Sequence, residues 1–173
     1  MSNPYQHNAP GEGPAIPDIS AELRGMQVVV FALMQGVVFF GGIMLWIGGF
    51  KNEPFAEAGV VAWVGVGFGI VMLVLSYVIP SSKERRGLDG LSHMEDVPVT
   101  EYLGLYRGNL IIGCALAEGA SFINLLLYFI GGQLMNLGMV MVLLARIGMH
   151  MPTRERVTRW LYDNMAAGHG GAA

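Results

Sequence analysis

Three stretches of this chain, 25–50, 58–80 and 108–132, each run for more than twenty residues with almost no charge; Glu118 is the lone exception. About 20 apolar residues in a helix cross the ~30 Å hydrocarbon core of a bilayer. In that medium a helix is the one single-segment structure that satisfies its own backbone polar groups. A fourth run, 133–145, is shorter but reaches Met151 if Arg146 extends its long side chain to the interface. Composition agrees with this reading. Hydrophobic residues make up 53% of the chain, charged residues 13%, and mean hydropathy is +0.50, whereas soluble domains carry about 25% charge. The expected fold is all-α, an integral membrane four-helix bundle.

The basic residues orient it. Arg24 precedes the first run, Lys83, Arg85, Arg86 and Arg107 lie between the second and third, and Arg146, Arg154, Arg156 and Arg159 close the fourth. Only Lys51 falls on the other side. By the excess of Lys and Arg in cytoplasmic loops, both termini and the long middle segment are cytoplasmic, and the expected location is the inner (plasma) membrane of a bacterium. About twenty polar residues precede the first run, which is too long for a signal-peptide core and lacks a small-residue cleavage site. Residues 1–21 are expected to be a disordered tail. Cys114 is the single cysteine and lies inside a run, so no intramolecular disulfide is possible.

An internal repeat organises the rest. Shifted by 83 residues, 32–49 falls on 115–132 with seven identities in eighteen positions, where about two are expected by chance. Arg24 then aligns with Arg107, and Ile47-Gly48-Gly49 with Ile130-Gly131-Gly132. The second and fourth runs end in Pro80-Ser81-Ser82-Lys83-Glu84-Arg85 and Pro152-Thr153-Arg154-Glu155-Arg156. The expectation is two tandem hairpins, 22–80 and 107–151, joined by a cytoplasmic loop over 81–106 and related as parallel repeats. Residues 152–173 are expected to be an amphipathic segment with a flexible tail, its helix lying on the inner membrane surface.

The repeat makes Gln35 the counterpart of Glu118. Each lies about eleven residues beyond its arginine, roughly 16 Å deeper at ~1.5 Å per residue, near the midplane. A pseudo-twofold axis would bring the two side chains face to face near the bundle centre. A carboxyl at the midplane costs roughly 2.5–3.5 kcal/mol on insertion scales, so it needs a partner or a task. Three readings stand open. Glu118 binds or translocates a proton or cation, with Gln35 as neutral partner and Ser121 and Asn124 as supporting polar groups. Alternatively it is a structural, hydrogen-bonded residue in a non-catalytic scaffold or accessory subunit. In the third reading it serves a small-molecule exporter. Gly36, Gly65, Gly67, Gly69 and Gly119 are expected at close helix contacts, within the bundle or between subunits.

Nothing in the chain reads as a nucleophile–base set, a P-loop or a dinucleotide fingerprint. His93 and His150 are isolated, and no Cys/His cluster suits zinc. No enzyme activity, cofactor, metal or nucleic-acid partner is expected. The expected partners are the lipid bilayer and a homo-oligomer or larger membrane complex.

The glycine-alternating Val64-Gly65-Val66-Gly67-Phe68-Gly69, a basic turn, then Ala115-Leu116-Ala117-Glu118-Gly119 on an outgoing helix resembles the hairpin of the rotor-ring proteolipid, subunit c, of ATP synthases. That resemblance implies a proton or sodium site at Glu118 beside Gly65, Gly67 and Gly69. It covers about fifty residues. The connecting segment is longer than the family's tight turn, its Arg-Gln-Pro signature is absent, and the hairpin orientation is opposite. Over its whole length the chain resembles uncharacterised bacterial four-span membrane proteins, which combine an Ala-Leu-x-Glu-Gly motif in the third span with Pro-Thr-Arg-Glu after the last. This second likeness implies a fold and no activity.

Overall fold

In the computed structural model the described residues, 18–51, 59–94 and 97–169, form five helices and no strand. They are α1 (Ser20–Gly48), α2 (Val60–Ser92), α3 (Val99–Gly131), α4 (Leu134–Met149) and α5 (Arg154–His169). The first three are long and apolar enough to cross a membrane. Helix α4 has 16 residues, about 24 Å at 1.5 Å per residue, shorter than a ~30 Å core. It passes as a span only together with α5, from which it is bent by 65°. Among the described residues there are therefore three candidate spans, or up to four. The tail expected over 1–21 and the flexible end of 152–173 fall largely outside the described residues.

The helix ends follow local chemistry. Asp18 accepts the Ser20 N–H at 3.1 Å and the Ser20 hydroxyl at 3.0 Å, tying down the start of α1. At the other end Gly49 takes φ +67°, a conformation in which a side chain clashes with the backbone. Gly132, its counterpart in the internal match, takes φ +68° and donates its N–H to the Tyr128 carbonyl at 2.7 Å, closing α3 in a left-handed cap.

Helix α3 is the packing centre. It contacts α1, α2 and α4, while α1 and α2 pack mainly on α3 and α4 rather than on each other. The central core joins Met26 and Val30 of α1, Cys114, Ala117 and Ala120 of α3, and Leu143 and Ile147 of α4. Outward faces of α1 and α2 carry large apolar side chains, including Phe31, Phe39, Trp46 and Val60. Contiguous apolar surface of this extent suits lipid and not water.

Two sequence expectations change here. The segment expected as a loop over 81–106 is mostly helix: α2 runs on to Ser92 through Pro80, and α3 starts at Val99. Lys83 to Arg86 favour helix, and Leu88 and Leu91 supply apolar contacts that hold the extension. Helix α5 does not present its apolar face to a membrane surface. Val157 and Leu161 are wholly buried in a cluster with Ile19, Leu23, Tyr102 and Leu103, because the bend after α4 folds that face back onto α1 and α3.

Candidate functional site

Glu118 lies in the seam between α3 and α1. A Cβ added at Gly36 would sit 3.2 Å from its Oε1 and 3.8 Å from Cζ of Phe122. The seam continues where Gly41 meets Leu125 and Gly48 meets Phe129. Residues without side chains on α1 thus make room for larger ones on α3. The carboxyl is half-buried. Among the described residues it makes no hydrogen bond and no ion pair.

Gln35 is not its partner. It is exposed on α1, and the adjacent Gly36 takes the inward position. One residue rotates a helix face by about 100°, so the repeat alignment left the azimuth open. Ser121 is buried, but its hydroxyl donates back to the Ala117 carbonyl at 2.8 Å. Asn124 faces α2 and α4 instead of Glu118. Gly65 and Gly69 are at close contacts, whereas Gly67 and Gly119 have nothing near a notional Cβ.

A second polar group pairs the expected Asn124 with Asn136, which was not anticipated. Asn124 on α3 and Asn136 on α4 are fully buried and close over Gly65, where a Cβ would stand 3.2 Å from one Oδ1 and 2.9 Å from the other. Asn124 donates its amide to the Ala120 carbonyl at 3.0 Å. Its Oδ1 and both polar atoms of Asn136 have no protein partner among the described residues. Two asparagines in runs otherwise apolar were the available signal.

Arg146 departs furthest from expectation. Far from extending to an interface, it is 6% exposed. Its Nη2 donates to the Ser76 carbonyl at 3.3 Å and its Nε to the Ser76 hydroxyl at 3.4 Å. The guanidinium carbon stands 3.4 Å from the centre of the Tyr77 ring, a cation–π arrangement. Its Nη1 contacts the ring of His150, which is therefore not isolated. His150 Nδ1 lies 3.0 Å from the Arg146 carbonyl, to which a ring nitrogen can only donate. The ion pair among the described residues joins Arg159 and Glu155 on α5, so Arg146 has no carboxylate partner there.

A cavity of about 220 Å³ opens beside Arg146, lined also by Tyr77, Pro80, Glu84, Tyr106, Asn109 and His150. Asn109 Nδ2 is buried there without a partner. Glu84 Oε1 accepts the Trp160 indole N–H at 2.5 Å, tying α2 to α5. No group of three or more potential metal ligands from His, Cys, Asp and Glu occurs among the described residues.

Comparison with protein-family models, curated proteins and solved structures found no match.

Proposed function

We propose that this is a non-enzymatic polytopic membrane protein in which Glu118 takes up and releases a proton at the α1–α3 seam. The observation that carries this reading is the carboxyl's lack of any hydrogen-bond or ionic partner among the described residues, together with its half-buried position against Gly36. A structural carboxyl that registers helices needs a partner to bond. A hard cation needs several oxygen ligands, six to eight for calcium, and the seam offers one carboxyl. A proton needs only that group.

On this reading the chain forms four spans from two duplicated hairpins, with both termini on the cytoplasmic side of a bacterial inner membrane. The aligned capping glycines Gly49 and Gly132 support the duplication. The excess of basic residues supports the orientation. A homo-oligomer or larger membrane complex is the proposed setting, with the exposed apolar face of α1 available to a neighbour or to lipid.

The test is proton flux in liposomes containing the purified chain, with labelling by an apolar carbodiimide, a reagent for protonated carboxyls in apolar surroundings. Wild-type protein should leak protons and be labelled at Glu118, with labelling faster at lower pH. Glu118→Gln should lose both while keeping its helix content. A silent wild type whose Glu118→Gln variant fails to assemble would point instead to the scaffold reading.

A further inference from the structure

The cavity beside Arg146 stands apart from the Glu118 seam and calls for its own ligand. A guanidinium is always protonated, and at 6% exposure this one is cut off from most solvent, bonded to the Ser76 hydroxyl and carbonyl and to no carboxylate among the described residues. Burying a charge without an opposite one is costly. The cavity next to it supplies another donor without an acceptor, Asn109 Nδ2. Two residues that carry donors, one of them cationic, border a space large enough for a small anionic group. Arginine suits phosphate in particular, because its planar fork can donate two parallel hydrogen bonds.

A simple anion is not the best fit, because Glu84 lines the same cavity. Its Oε1 is held by the neutral indole of Trp160, which leaves the carboxylate charge without a cation among the described residues. The cavity thus has a positive pole at Arg146 and a negative pole at Glu84. Glu84 is one helical turn past Pro80, whereas Ser76, which Arg146 grips, is one turn before it. The two poles are therefore about two turns, roughly 11 Å, apart in backbone height along α2. The negative pole lies towards α5 and the positive pole towards the apolar interior. Beside the opening, α2 exposes Val74, Tyr77 and Val78, an apolar track running along the helix.

We propose that this cavity binds the headgroup of a zwitterionic phospholipid bearing a primary amine, with the phosphate held by Arg146 and Asn109 and the ammonium by Glu84. The acyl chains run along the exposed face of α2. The order of the poles matches such a lipid, whose amine projects further from the hydrocarbon than its phosphate. A volume of about 220 Å³ admits a headgroup and leaves the chains outside. This inference is independent of the Glu118 reading.

The experiment is calorimetric titration of the delipidated full chain in detergent with three probes. These are a short-chain phosphatidylethanolamine, a phosphatidylglycerol with the same chains, and soluble phosphoethanolamine. The amine lipid should bind saturably, about tenfold tighter than the glycerol lipid, a difference of about 1.4 kcal/mol. Arg146→Gln should abolish binding, and Glu84→Gln should erase the preference between the two lipids with helix content unchanged. Phosphoethanolamine binding as tightly as the lipid would keep the zwitterion chemistry and assign it to a soluble ligand. Equal affinity for both lipids in the wild type, or no saturable binding of any probe, would overturn the proposal. If Arg146→Gln does not fold, the selectivity of Glu84→Gln decides alone.

Discussion

Arg146 on α4 donates to the Ser76 carbonyl on α2 at 3.3 Å, and that carbonyl is the one left without its helical partner by Pro80. A proline four residues on has no N–H to offer, so it removes one bond of the helical ladder. In hydrocarbon a bare carbonyl is costly. The arginine fills the vacancy from a neighbouring helix, and the Ser76 hydroxyl, itself donating to the Leu73 carbonyl at 2.7 Å, accepts a second, longer bond. A helix defect and a buried cation thus offset one another.

A double-mutant cycle tests this pairing. Arg146→Met should destabilise the protein in the presence of Pro80, because the Ser76 carbonyl is then orphaned. In the Pro80→Ala background the new N–H satisfies that carbonyl, and the loss should be smaller. The expected coupling is about 1–2 kcal/mol, measured by denaturant unfolding in mixed micelles. Equal losses in both backgrounds would mean that Arg146 does not serve the proline gap.

The glycines of α2 should separate sharply. A Cβ at Gly65 would meet Leu127 Cδ1 at 2.7 Å and Asn136 Oδ1 at 2.9 Å, while one at Gly67 would meet nothing within 4 Å. Gly65→Ala is expected to cost about 1–3 kcal/mol by overpacking. Gly67→Ala should be neutral, or stabilising by up to ~1 kcal/mol through helix propensity. The same unfolding assay checks both, and similar values would contradict the helix azimuth described above.

Tyr128 is 2% exposed, and its hydroxyl bonds the chain leaving α1, accepting the Lys51 N–H and donating to the Lys51 carbonyl, both at 3.0 Å. Tyr128→Phe keeps the ring and removes both bonds. A loss of about 1–3 kcal/mol is expected, with faster amide exchange at Lys51 and little change elsewhere. Unaltered exchange at Lys51 would show that the clamp does not hold the segment.

Asp18 supplies a pH dependence outside the membrane spans. The Ser20 hydroxyl, then the Ser20 N–H, hold its carboxyl below the usual aspartate value of 3.8. A carboxyl whose folded value is depressed favours the folded state above the unfolded value and loses that contribution as pH falls through the folded value. Protection of the Ser20 amide against exchange should therefore drop as pH falls below 3.8, and Asp18→Asn should abolish the drop. A Ser20 amide indifferent to pH in the wild type would contradict the contact.

The internal repeat places Gln35 opposite Glu118, one residue away from Gly36, which the structure sets against that carboxyl. Gln35 and Gly36 are adjacent, and hydropathy did not distinguish which of them turns inward. Arg146 was legible as a cation in an apolar run. Its burial was not, because the receiving groups, Ser76 and Tyr77, lie about seventy residues earlier on another helix. Asn136 carried a visible polar signal without a visible partner.

The amino-acid sequence by itself determined that the chain is helical and roughly where the long helices run. Those features are local: uncharged runs of spanning length and backbone groups that must bond within their own segment. The tertiary structure alone decided which face of each helix meets α3, that Gly36 and not Gln35 opposes Glu118, that α5 folds back onto the core, and that Arg146 answers Pro80. A helix apolar on every side has no polar face to orient it in lipid, so its rotation is set by the shapes and unsatisfied groups of the helices it packs against.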